Sequence, residues 1–168
     1  MAELEQVQGR DIGSLEASLG HTFKNENANF PEIRLHGMAD RIDHENGAVV
    51  VTDYKTGSVE ARELKLKGAW TEKLDDGKSG KALQLLMYAA IALETIGPNG
   101  KKRTDENAQI NHVRAGIRSG KNATAGLLPL TIDGQTFVTR EDAFKLLSWI
   151  SDKLNHLHQT NEGLVHET

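Results

Sequence analysis

The stretch His36-Gly-Met-Ala-Asp40-Arg-Ile-Asp43-His-Glu-Asn-Gly47-Ala-Val-Val-Val-Thr-Asp53-Tyr-Lys55-Thr-Gly57 decides the fold. Asn46-Gly47 is the strongest short-range hairpin signal, because both residues tolerate the left-handed backbone of a two-residue turn. Before the turn, Ile33, Leu35, Met38 and Ile42 alternate loosely, which predicts a strand over about 32–43. After it, Ala48 to Tyr54 is apolar and β-branched, a buried strand that Thr56-Gly57 ends.

A two-residue turn sets Glu45 opposite Ala48, and counting back sets Asp40 opposite Asp53. Directly opposed residues share a face, with Cβ atoms roughly 5 Å apart. Lys55, two residues from Asp53, shares that face, while Asp43 points away. Two like charges so placed are destabilising unless a cation lies between them. Lys55 supplies one positive charge; a divalent ion such as Mg²⁺, which prefers carboxylate oxygen, compensates better. Such a site orients a water, lowers its pKa and neutralises a phosphoryl group, and a lysine beside it stabilises the charge that develops. On charge pattern alone, Asp40, Arg41, Asp43 and Asp53 read more simply as solvated charges. Against this, Asp53 and Lys55 emerge from the buried run Val49-Val50-Val51, and sheet ligand sites gather at such strand ends.

Outward from the hairpin, residues 3 to 20 carry a loose helical pattern in Leu4, Val7, Ile12, Leu15 and Leu19, broken at Gly9 and Gly13. Residues 25–31 read as a loop, 59–67 as a short helix and 68–80 as a polar, mobile loop. Residues 81–96 are the surest helix, stopped by Gly97-Pro98. Strands are expected over about 108–118 and 127–132, the latter at a sheet edge because of Pro129. Thr139-Arg-Glu-Asp142 resembles a capping box and opens a last helix with Phe144, Leu147, Ile150 and Leu154 on one face. The order predicts an α/β fold, a mixed central sheet flanked by helices.

The chain has 168 residues, 38% hydrophobic and 26% charged, consistent with one globular domain over 1–168. It has no cysteine, which excludes a disulfide framework, a Cys-ligated metal and a thiol nucleophile. Neither a secretory leader nor a membrane-length apolar run is found, so the expected location is the cytoplasm. Twenty basic residues against 24 acidic give a net charge of −4, which does not announce nucleic acid, although a metal-dependent nuclease needs carboxylates of its own. The basic residues cluster at Lys65/Lys67, Lys78/Lys81, Lys101-Lys102-Arg103 and Arg114/Arg118/Lys121. Each cluster alone reads first as solvated surface.

Gly37-Met-Ala-Asp40-Arg-Ile-Asp43, then Asp53-Tyr-Lys55-Thr-Gly57, then Gln84-Leu-Leu-Met-Tyr88 resembles the PD-(D/E)XK nuclease superfamily. It is most similar to the RecB-type branch, including the C-terminal nuclease domain of AddB-like helicase–nuclease subunits. The three pieces, in order, span about a third of the chain. The resemblance implies a restriction-endonuclease-like core and a metal-dependent DNA nuclease, an exonuclease of recombination and repair. It implies Asp40, Asp53 and the backbone carbonyl of Tyr54 as ligands of Mg²⁺ or Mn²⁺. It makes Lys55 the catalytic lysine, with Gln84 and Tyr88 facing the site from one helix. Relatives often carry a further ligand upstream; here Glu16 is the best candidate, then His21 or His36. The chain lacks the four cysteines of iron–sulfur relatives and any P-loop, so it is not the motor. A helicase subunit, or a helicase domain of the same protein, is the expected partner beside DNA, and the chain is expected to be a piece of such a protein. Two other functions compete: a non-catalytic DNA-binding or docking module, and a hydrolase of some other phosphoester.

Overall fold

In the computed structural model, residues 10–26, 29–121 and 126–166 are described. The elements are β1 (Arg10–Lys24), β2 (Glu32–Glu45), β3 (Ala48–Lys55), β4 (Lys65–Leu66), α1 (Trp70–Lys73), α2 (Gly80–Thr95), β5 (His112–Ser119), β6 (Leu128–Pro129), β7 (Thr131–Ile132), β8 (Val138–Thr139) and α3 (Arg140–His166). Six strands form one sheet in the order β1-β2-β3-β5-β6, with β8 also on β5. The pairs β1–β2 and β2–β3 are antiparallel and β3–β5 is parallel, so the sheet is mixed, as expected. A parallel β4–β7 pair stands apart.

The turn has the expected form: φ is 50° at Asn46 and 77° at Gly47. It sets the ladder from Glu45↔Ala48 to Arg41↔Thr52. Every residue of β3 up to Asp53 is buried, so both of its sides are covered. On one side, Val49 and Val51 join Ile42 and the apolar face of α2 in the core. Leu85, Leu86, Ala89, Ile91 and Leu93 make α2 apolar on most of its circumference, which suits a helix packed between the sheet and α3.

The structure corrects the N-terminal helix. Residues 3–9 lie outside the described residues, and 10–24 form β1, the longest strand. Leu19 and Phe23 are buried and alternate with exposed neighbours, a strand period. Upstream the pairing register shifts at Gly13, and Glu16 adopts a φ of 48°. These two irregularities interrupt the alternation that marks a strand, and the helix-like spacing is not a buried stripe: Leu15 is 65% exposed whereas Leu19 is buried.

Three smaller expectations also change. Residues 68–80 are not all loop: Trp70 and Leu74 are buried and anchor α1 and a 3-10 turn at Leu74–Asp76. The expected short helix over 59–67 shrinks to a 3-10 turn at Ala61–Leu64 before β4. The expected strand over 127–132 divides at Leu130, which is buried, so that β6 pairs with β5 and β7 with β4. On α3 the inner stripe is Ala143, Leu146, Leu147, Ile150 and Leu154, whereas Phe144 is 70% exposed. The cap of α3 forms as expected, Thr139 N and Oγ1 each lying 2.9 Å from Asp142 Oδ2.

Asp75 ties the 3-10 turn to α3. Its Oδ1 lies 2.6 Å from Lys153 Nζ and accepts a 3.0 Å hydrogen bond from Trp149 Nε1. The Lys153 contact is the main cause holding the Asp75 carboxyl below its ordinary value of 3.8; desolvation opposes it and Trp149 adds to it. A carboxyl lowered in the folded state contributes stability above its unfolded pKa and loses it as pH falls through the folded one. Asp75→Asn should therefore flatten the stability profile only below about pH 4, with an effect that shrinks in high salt. Urea midpoints at pH 7 and pH 3 check this; an unchanged acid limb would remove Asp75 from it. Thr139→Ala should cost about 1 kcal/mol at neutral pH, read from the same midpoints.

Candidate active site

The β2–β3 ladder stops at Arg41↔Thr52, and the next step of the register places Asp40 beside Asp53. There β2 leaves β3. Ala39 and Ile42 are both fully buried although three residues apart, so the pleat slips by one between them. The slip falls on Asp40 and Arg41. Asp40 then replaces the missing ladder: its Oδ2 accepts a 2.7 Å hydrogen bond from Tyr54 N. One aspartate is thereby fixed to the backbone just beyond the other.

Asp53 is 5% exposed, and Lys55 Nζ lies 2.8 Å from its Oδ2. That contact compensates charge but lacks hydrogen-bond alignment, and Oδ2 has no hydrogen-bond donor among the described residues. From α2, Gln84 Oε1 accepts from Lys55 Nζ at 3.2 Å, and Gln84 Nε2 donates to Tyr88 Oη at 2.7 Å. The structure thus links Asp53, Lys55, Gln84 and Tyr88 in one chain of contacts, with Asp40 anchored at its head. The one-turn spacing of Gln84 and Tyr88 puts both on the α2 face that meets the end of β3.

Glu16 sits on β1 rather than a helix. It is exposed, and the flanking pairs Leu15↔Arg41 and Ala17↔Ala39 place it opposite Asp40. Its left-handed backbone is an uncommon one for a non-glycine residue. His21 contacts the Phe23 ring edge-on, and His36 is exposed farther along β2. Among the described residues no three His, Asp or Glu side chains form a ready metal cluster. Two carboxylates nonetheless fit a hard divalent ion, since Mg²⁺ is commonly held by one or two carboxylates with water and phosphate. The buried Asp53 Oδ2, which has an ion-pair contact from Lys55 but no aligned hydrogen bond among the described residues, is the observation that favours that fit.

Asp43 does point away from this cluster. It is fully buried, and its Oδ1 accepts a 2.8 Å hydrogen bond from Arg41 Nε. Burial opposes the Arg41 charge, yet the bond to Asp43 and the contact with Tyr54 outweigh it and raise the guanidinium above its ordinary value.

Two further residues support the site: Gly37, which opens the Gly-x-x-Asp-Arg stretch, and Ser119, which belongs to none of the three motif pieces. Gly37 lies under Tyr88, where a Cβ would come within 2.5 Å of Tyr88 Cε1. Ser119 pairs with Lys55 across the parallel β3–β5 ladder, and its hydroxyl donates a short hydrogen bond to the Gly57 carbonyl. Gly120 N adds a 3.0 Å bond to the Lys55 carbonyl. The first glycine of the Gly-x-x-Asp-Arg stretch was a signal for Gly37. No local signal announces Ser119.

A mixed sheet whose strand end presents Asp, Asp and Lys to a helix carrying Gln and Tyr is the architecture of a restriction-endonuclease-like hydrolase core. The chain belongs to the PD-(D/E)XK nuclease superfamily, whose family model matches residues 2–165. No curated protein matches the chain. Members of this superfamily are generally phosphodiesterase nucleases and typically use divalent metal ions.

Gly37→Ala should displace Tyr88 and destabilise the fold by about 1–3 kcal/mol. The same substitution should cost far less in a Tyr88→Ala background. Equal costs in the two backgrounds, read from urea midpoints, would show that the ring is not what excludes a side chain at Gly37.

Proposed function

We propose that the chain is a Mg²⁺- or Mn²⁺-dependent deoxyribonuclease in which Asp40, Asp53, Lys55, Gln84 and Tyr88 do the catalytic work. The observation that carries this reading is Lys55 Nζ, held between Asp53 Oδ2 and Gln84 Oε1 beside a second, anchored aspartate. Asp40, Asp53 and the Tyr54 carbonyl would hold the metal, with Glu16 as a further ligand from β1. The bound ion supplies positive charge against the phosphate and a water of lowered pKa. Asp53 holds the Lys55 ammonium in place. Lys55 donates hydrogen bonds toward the attacking water and the phosphate oxygens, where negative charge grows in the transition state. Gln84, fixed by Tyr88, limits the positions open to Lys55, so little reorganisation is needed during the reaction.

The finer reading goes further. DNA is the proposed substrate, cut exonucleolytically in recombination or repair, and the chain is a single RecB-type domain that works beside a helicase subunit or domain. The resemblance of the three motif pieces supports it.

The test is cleavage of end-labelled single- and double-stranded DNA with Mg²⁺, with Mn²⁺ and with EDTA. The wild type should cut only with metal. Lys55→Ala should lower the rate on the order of 10²–10³-fold while its circular dichroism is retained. A fully active Lys55→Ala would overturn the role of the lysine. A folded wild type that never cuts would favour a non-catalytic DNA-binding or docking module.

A further inference from the structure

On the side of the sheet away from α2, a cavity of about 510 Å³ opens beside Arg114 and Arg118 of β5. In the parallel ladder Arg114 pairs with Val50 and Arg118 with Tyr54. Strand alternation therefore sets both arginines on the face opposite Asp53 and Lys55. Leu127 closes over this face at Gly116, where an added Cβ would meet Leu127 Cγ at 2.7 Å. The site described above uses none of these residues.

Arg114 is held in a defined pose. Its guanidinium carbon lies 4.8 Å from the centroid of Phe137, whose ring in turn contacts His112 edge-on at 4.5 Å. Arg114 Nε is buried and has no hydrogen-bond partner among the described residues. A buried guanidinium N–H without an acceptor is costly, and such a group calls for a ligand or water to complete it. Arg114 Nε is thus the lining group that calls for an acceptor, and Arg118 adds a second positive charge beside Glu45, so an anion is favoured. Val50, Leu127 and Pro129 make an apolar wall, and Thr136 adds a hydroxyl. The volume is ordinary for a small-molecule site.

We infer that this cavity binds a phosphate-bearing small molecule of nucleotide size. Arg114 takes the phosphate through its unpartnered Nε–H, and a phosphate has oxygens to spare for the other polar groups of the lining. The apolar wall takes the flat face of a base, and Glu45 accepts a hydrogen bond from a sugar hydroxyl or a base amine. The inference does not rest on the nuclease reading: it concerns different residues on the other face, and its test needs neither metal nor cleavage.

The experiment is titration of the folded chain in EDTA with deoxyadenosine 5′-monophosphate, deoxyadenosine and inorganic phosphate, followed through the ¹⁵N–¹H signal of Arg114 Nε and by calorimetry. The nucleotide should shift that signal and bind at least about tenfold more tightly than either fragment. Arg114→Lys keeps the charge but loses the fork, and should weaken nucleotide binding about tenfold. Leu127→Trp, which fills the cavity without touching a charge, should do the same, each variant being first shown to retain its thermal midpoint. Inorganic phosphate binding as tightly as the nucleotide would reduce the site to a bare anion hole and overturn the proposal. So would an unmoved Arg114 signal, or nucleotide binding untouched by both variants.

Discussion

Everything at the candidate site depends on the register that a two-residue turn imposes. With both Asn46 and Gly47 at positive φ, the twist of the turn matches the twist of the strands and no residue is left over. One extra residue would move the whole of β3 by a step and send Asp53 and Lys55 to the opposite face. The register instead brings two aspartates together at the point where their ladder ends. Like charges there would drive the strands apart if nothing offset them. Lys55 offsets part of that charge, and the Tyr54 amide takes one oxygen of Asp40.

How far the sequence reveals this follows the range of the forces involved. The hairpin, α2 and the cap of α3 rest on contacts between residues a few positions apart, and all three are legible. So is the Asp53–Lys55 pair, which needs only strand parity. β1 is not, because the register shift at Gly13 and the left-handed backbone of Glu16 break the alternation that identifies a strand. Phe144 fits the apolar stripe of α3 by spacing, yet the part of the helix that meets α2 is turned toward Ala143 and Leu146. Only the packed partner decides which edge of a wide stripe is used. Ser119 is illegible for a similar reason: its place beside Lys55 comes from a parallel pairing across more than sixty residues of chain, and parallel pairing leaves no turn to read.

The slip between Ala39 and Ile42 links fold and chemistry. An unbroken pleat would keep β2 against β3 past Asp53, and backbone groups would occupy the space where Asp40 now reaches Tyr54 N. By ending the ladder there, β2 exchanges one backbone pairing for a side chain held at a strand end. Bulges beside active sites commonly re-aim a residue in this way. Across from it, Glu16 takes a backbone conformation that non-glycine residues seldom adopt. Irregularity in β1 and in β2 thus falls on the same row.

Rigidity at the site follows from where its residues stand. Asp53 and Lys55 lie on a strand paired on both sides at its buried end, and Gln84 and Tyr88 lie on a helix packed into the core. None of the four depends on a loop for its position. Because β3 is buried on both faces, its alternation serves two environments at once. Val49, Val51 and Asp53 face α2, while Val50, Thr52 and Tyr54 face the arginines of β5. The parallel pairing of β3 with β5 is therefore shared by both sides of the sheet, and a change that loosens it should be felt on each. On its other side β5 is packed closely too, since Leu128 O of β6 would stand 2.6 Å from a Cβ placed at Gly116. The geometry of Lys55 therefore depends on what lies behind the sheet as well as on what lies in front of it, because β5 is held from both directions.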